Sequence, residues 1–158
     1  MQVQRRIVAP RQKWENFRFV VTNRRGQFEE RVTIRRSAEY RAITPATPRC
    51  ARAKSDSLLV NARARVITFV GDATPERGRN FRVHGRVEPR HPDTRIALQR
   101  RKKGDWVTVQ AQELSARSTF SFFPLATWKG RRTFRIRWPR GDFDHIAGYG
   151  RVFEITTH

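Results

Sequence analysis

Gly85-Arg86-Val87-Glu88-Pro89, Ile96-Ala97-Leu98-Gln99-Arg100-Arg101, Trp106-Val107-Thr108-Val109 and Phe120-Ser121-Phe122 follow one another along the chain. Each segment is short and sets apolar residues at alternate positions. Successive side chains of a β-strand point to opposite faces, so Ile96 and Leu98 share one face while Ala97 and Gln99 share the other. Phe120 and Phe122 repeat the pattern, as do Phe134, Ile136 and Trp138. The chain reads as all-β.

Outward from this stretch, the sequence copies itself. Val3-Gln4-Arg5-Arg6 matches Leu98-Gln99-Arg100-Arg101, and Trp14 matches Trp106. From that tryptophan the spacing holds at 92 positions, setting Phe17 on Val109, Arg25 on Arg117 and Phe28 on Phe120. Tyr40-Arg41-Ala42-Ile43 then matches Phe134-Arg135-Ile136-Arg137 at 94, and Leu58–Ala62 is set against Arg151–Ile155 at 93. A period just above ninety residues is too long for a solenoid and fits a small domain repeated in tandem. Residues 1–62 are therefore expected to form a partial repeat lacking its first two strands, and residues 63–158 a complete seven-strand domain.

The expected strands of the first unit are Val3–Val8, Trp14–Thr22, Gln27–Ile34, Glu39–Ile43 and Leu58–Ala62. Asn23-Arg24-Arg25-Gly26 supplies a hairpin-type turn, and Thr44–Pro48, with two prolines, a loop. The second unit is expected to run Arg65–Val70, Phe81–Val87, then 95–101, 106–113, 119–123, 132–138 and 150–157. Seven short strands without an amphipathic helix indicate an immunoglobulin-like β-sandwich. Its predicted core is Phe81, Val87, Leu98, Phe120, Phe122, Phe134 and Ile136.

Gly85-Arg86-Val87-x-Pro89, Leu98-Gln99-Arg100-Arg101, Trp106, Phe120-Ser121-Phe122 and Phe134-Arg135 together resemble the tandem immunoglobulin-like or fibronectin-III-like repeats of actinobacterial secreted and surface proteins. The resemblance covers residues 63–158 well and 1–62 as a partial unit. In that family a glycine commonly precedes the Leu-Gln-Arg strand and another precedes the Phe-x-Phe strand; Asp93 and Ser118 stand there in this chain. The resemblance implies tandem sandwiches acting as spacers or binding modules, and it carries no catalytic residues.

Composition bears on partners. The 158 residues (18.6 kDa) carry 34 Lys and Arg against 14 Asp and Glu, a net charge of +20. Only five of the 34 are Lys, leaving 29 Arg, the side chain suited to bidentate contact with phosphate, sulfate or carboxylate. Such a surface attracts polyanions whether or not the bias began as compositional drift. Hydrophobic residues are 37%, which suits thin sandwich layers. Cys50 is the single cysteine, so no disulfide forms within the chain. Met1–Pro10 has no apolar signal-peptide core, no run approaches a membrane span, and an extracellular protein would carry its signal upstream.

Arg82, Arg86, Arg135 and Arg137, with Arg131 and Arg132 entering the same strand, are the candidate polyanion-binding residues. Alternation sets Arg135 and Arg137 opposite Phe134, Ile136 and Trp138, which read as core. Trp14 and Trp106 read as packing residues at the start of a strand. Arg140-Gly141-Asp142 spells an integrin-read tripeptide, a match expected by chance in an Arg-rich chain. Asp142, Asp144 and His145 carry hard ligand atoms but read as turn formers, and neither metal nor cofactor is expected. The chain has no nucleophile elbow, P-loop or HExxH motif, and Glu29 and Glu30 face opposite ways on an extended segment. Catalysis is not expected.

The function expected from sequence is a non-catalytic structural or adhesive module of a bacterial exterior, extracellular or at the cell surface. It would be part of a larger assembly in which a protein partner or further repeats complete the first unit, with an anionic glycan as a ligand. The alternatives are a cytoplasmic basic nucleic-acid-binding protein of a ribonucleoprotein or nucleoid, and a virion or filament subunit.

Overall fold

The structure is a computed structural model and describes residues 1–158 except Ala9, Arg11 and residues 140–143. The described residues form antiparallel sheets and no helix. The chain divides into two units, Met1–Ala62 with Asp142–His145 and Arg63–Gly141 with Ile146–His158.

The first unit is one sheet. Its strands are β1 (Gln2–Ile7), β2 (Glu15–Phe19), β3 (Ala38–Thr44), β4 (Ala53–Lys54) and β5 (Leu58–Val60). They run in the order β2-β1-β3-β4, with β5 also pairing β3. The second unit has two sheets. Strands β6 (Arg65–Val70), β7 (Val83–Glu88) and β10 (Thr119–Phe122) form a three-stranded sheet in the order β10-β7-β6. Strands β8 (Arg95–Lys102), β9 (Asp105–Glu113), β11 (Gly130–Trp138), β12 (Gly148–Tyr149) and β13 (Phe153–Thr157) form the other, in the order β12-β11-β8-β9 with β13 on β11.

The core of the second unit lies between its two sheets. Val66, Phe81, Val83, Val87, Phe120 and Phe122 come from the three-stranded side, and Ile96, Leu98, Phe134, Ile136, Trp138, Phe153 and Ile155 from the five-stranded side. All seven predicted core residues are buried. Phe81 meets Phe134 edge-on at 5.7 Å between ring centres, an arrangement favoured by the ring quadrupoles. Gly85 lies opposite Phe120 in the β7–β10 ladder. A Cβ there would stand 1.9 Å from the Ile67 carbonyl oxygen and 2.8 Å from the Phe120 ring. Glycine is required because the Phe120 ring and the neighbouring strand fill the space where a side chain would go.

The repeat reappears in the ladders. Gln4 pairs with Arg41 and Arg5 with Tyr40, as Gln99 pairs with Arg135 and Arg100 with Phe134. Gln4 also opposes Asn16 as Gln99 opposes Thr108, and the register slips between Val3 and Gln4 as it does between Leu98 and Gln99. Sheet β2-β1-β3-β5 is thus a second copy of β9-β8-β11-β13. The closing strands need a correction. Leu58 faces Tyr40 as Phe153 faces Phe134, an offset of 153 less 58, or 95 rather than 93. The two offsets have the same parity, so sequence alternation alone does not separate them.

A second correction concerns Gln27–Ile34, which forms no strand. Its counterpart by spacing, β10, draws its ladder from β7, and the first unit has no equivalent of β7. Beyond Gln27, which bonds to Asn23 across the turn, the segment pairs with no strand among the described residues.

The turns keep their geometry without glycine. Asp93 and Ser118 both have φ of 58°, while Gly26 has 75°. Ser118 is fully buried and its hydroxyl accepts the His91 amide at 2.5 Å, which offsets the cost of the left-handed conformation. Asp93 is exposed.

Two stability outcomes follow. Asp93→Gly should stabilise the protein by about 0.5–1 kcal/mol, because it relieves a left-handed non-glycine residue. Phe134→Ala should destabilise it by about 3–5 kcal/mol. Urea denaturation measures both; an Asp93→Gly variant less stable than the parent would refute the first.

Candidate functional site

The six arginines singled out from sequence do not form one surface. Arg82 and Arg86 project from the outer side of the three-stranded sheet. Arg82 donates to the Ser121 hydroxyl at 3.1 Å, and Arg86 pairs with Glu88 at 2.8 Å. Arg131, Arg135 and Arg137 lie on the outer side of the other sheet, where Arg131 pairs with Glu154 at 3.4 Å. Arg132 is in step with Phe134, at the exposed end of the inner face. The two outer sides point away from a common core, so the candidate polyanion-binding residues are split between them.

Arg135 is not a freely presented cation. Its guanidinium lies over the Trp106 ring at 4.2 Å and the Tyr149 ring at 4.6 Å, and its Nε donates to Gln99 Oε1 at 2.9 Å. Gln99 is buried, and its amide nitrogen approaches the Thr108 hydroxyl at 3.4 Å. Burial lowers the Arg135 pKa from its ordinary value; Tyr149 opposes that shift and Arg137 adds to it. The group stays cationic at neutral pH.

The same cluster recurs in the first unit. Arg41 lies over Trp14 at 4.0 Å and donates through Nε and Nη2 to Gln4 Oε1 at 2.9 and 2.8 Å. Gln4 donates to Asn16 Oδ1 at 3.0 Å. Arg6 also approaches Trp14, at 4.7 Å, and pairs with Glu39. Both tryptophans are therefore half-exposed partners of arginine on the outer face, not core residues. The legible signal was the recurrence of Gln, Trp and Arg at matching positions; alternation places them outside but does not show that they meet.

On its other side the first sheet carries an apolar groove of about 350 Å³, lined by Val3, Tyr40, Ala42, Leu58 and Val60 and flanked by Phe28, Glu30 and Val32. Those five sheet residues correspond by register to Leu98, Phe134, Ile136, Phe153 and Ile155, all core residues of the second unit. Leu58 is 67% exposed where Phe153 is 9% exposed. Phe19, at the end of β2, and Val21 beyond it are exposed too.

Asp144 takes an ion pair from Arg36 and lies within hydrogen-bond distance of His145 Nδ1 at 2.8 Å, and His145 Nε2 meets the Arg35 carbonyl oxygen at 2.8 Å. Among the described residues, no group of three His, Cys, Asp or Glu side chains is arranged around a metal position, and Cys50 is exposed. Arg140-Gly141-Asp142 lies outside the described residues. No helix among them is long and apolar enough to cross a membrane. No protein-family model matches the chain, and no curated protein matches it.

Arg135→Ala should cost about 1–2 kcal/mol, since it removes two ring contacts and a hydrogen bond to a buried glutamine. Arg137→Ala and Arg132→Ala, which change exposed positions, should stay within about 0.5 kcal/mol. Thermal unfolding of the three variants provides the comparison, and equal losses in all three would contradict the stacked role of Arg135.

Proposed function

We propose that the chain is a tandem of immunoglobulin-like modules of the fibronectin-III kind, acting as a structural or adhesive part of a bacterial exterior assembly and not as an enzyme. The observation carrying this reading is the four-stranded sheet repeated in the same register, with the same register slip and the same Gln-Arg-Trp cluster. Duplicating a sheet together with its outer-face clip conserves a mechanical unit; it builds no reactive centre. The strand order of the second unit, three strands against a sheet ordered β12-β11-β8-β9, is also the arrangement expected of such a sandwich. A protein partner or a neighbouring repeat would complete the first unit, and the basic surface would favour anionic glycans.

The net charge of +20 supports a second reading, a nucleic-acid-binding module. The two readings differ in what the polyanion must be. Under the first, the full chain should bind heparin and a single-stranded oligonucleotide alike, both weakening steeply with salt through counterion release. Under the second, the oligonucleotide should bind at least tenfold more tightly than heparin of equal charge at the same salt. Residues 63–158 expressed alone should unfold in a single cooperative transition. Their failure to fold would remove the modular reading.

A further inference from the structure

Where β9 ends and the chain turns into β10, the second unit holds an open cavity of about 540 Å³. Small-molecule clefts span about 300–1,000 Å³. Leu114 anchors the end of β9: it is buried, and its backbone bonds to Asp93 and Thr94. The turn that follows is closed by the Ser115 amide on the Thr119 carbonyl oxygen, with the two hydroxyls 2.7 Å apart. Strand β10 then sets Ser121 opposite His84. Gln112, Glu113, Ser115, Thr119 and Ser121 thus line the cavity from one stretch of chain, and Arg82 and His84 line it from β7 and the residue before it.

The charges of this lining balance. Apart from His84, Arg82 and Glu113 are its only ionisable side chains, and among the described residues neither forms an ion pair. Arg82 donates through Nε to Ser121 Oγ at 3.1 Å, and its guanidinium lies 5.9 Å from the centre of the exposed Phe123 ring. The two terminal nitrogens remain, forked to suit the two oxygens of one carboxylate. Glu113 can only accept and so calls for donors. His84, Gln112, Ser115, Thr119 and Ser121 are neutral groups that donate and accept, and no protein group bonds His84 Nδ1.

A densely charged polyanion would bring further negative charge against Glu113. A zwitterion would meet Arg82 and Glu113 but leave most of the five neutral side chains unmatched. One carboxylate set among several hydroxyls matches the whole lining. The cavity's own residues make that choice, independently of the charge on the rest of the chain.

We propose that this cavity binds a uronate unit of an acidic glycan, with its carboxylate on Arg82 and its hydroxyls on Glu113, Gln112 and Thr119. This rests on the exterior-module reading above and gives its anionic-glycan contact a place and a sugar class.

The test titrates the full chain with a galacturonate hexamer, followed by amide NMR. Shifts should fall on residues 82–85 and 112–121 and spare 131–137. The methyl-esterified hexamer, which keeps its hydroxyls and loses its charge, should bind about tenfold more weakly, as should the acid hexamer to Arg82→Gln. Glu113→Gln separates a built site from a diffuse field. It makes the chain more cationic, so a field would hold every polyanion more tightly; the site should hold the hexamer about threefold more weakly while heparin binding is not weakened. Ser121→Ala leaves the charge unchanged and releases Arg82 Nε, so it should also weaken the hexamer, which keeps the comparison if a charge variant fails to fold. Tighter hexamer binding by Glu113→Gln overturns the proposal, as does equal binding of the ester or shifts confined to 131–137. A single-stranded oligonucleotide that moves the same amides at lower concentration would make nucleic acid the ligand and would also overturn it. Heparin binding by the chain and cooperative unfolding of residues 63–158 do not depend on this cavity, so the modular reading stands or falls separately.

Discussion

A β-sheet with one apolar face is stable only when something covers that face, and this constraint governs both halves of the chain. In the second unit the cover is the β10-β7-β6 sheet. Phe81, Val83 and Val87 descend on Leu98, Phe134 and Ile136, and each fully buried large side chain is worth about 1.5–3 kcal/mol. In the first unit an equivalent sheet, in the same register, is covered less completely: Val3 is buried, Tyr40, Ala42 and Val60 are partly exposed and Leu58 is exposed. The contrast between Phe153 and Leu58 is a difference in what lies opposite, not in the strands that carry them.

The outer face obeys a separate rule. A guanidinium lowered onto an aromatic ring loses water and must find an acceptor in its own plane. Gln99 supplies that acceptor to Arg135, and Gln4 supplies it to Arg41. Each glutamine sits directly beside the register slip in its strand, and each bonds onward to a polar residue of the neighbouring strand. Trp, Arg and Gln thus tie three adjacent strands together on the side away from the core. Part of the arginine excess is accordingly structural. The remainder, spread over two outer sides, acts as a diffuse positive field and not as a single groove.

Asp93 and Ser118 show how a turn without glycine holds a left-handed backbone. Both hold the left-handed conformation that glycine adopts freely. Ser118 does so inside the protein, where its hydroxyl is bonded to the His91 amide. The strands on either side fix this backbone path, because they must hold their register to bury alternate residues.

The all-β class, the core of the second unit and the tandem copy were legible from residue order alone, because strand periodicity and exact recurrence are local properties of a sequence. The matches of Val3-Gln4-Arg5-Arg6 to Leu98-Gln99-Arg100-Arg101 and of Tyr40-Arg41 to Phe134-Arg135 are kept in the ladders of the two units. Parity left the offset of the closing strands unresolved, since shifts of 93 and 95 place the same residues on the same face. Alternation also placed Arg135 on an outer face without revealing that Trp106, Tyr149 and Gln99, remote in sequence, converge on it. Gln27–Ile34 has the composition of a strand, yet a strand requires an edge to bond, and among the described residues none pairs with it. Which residues could form strands was decided by their order; which of them do, and which arginines are occupied, was decided by the neighbours that tertiary structure supplies.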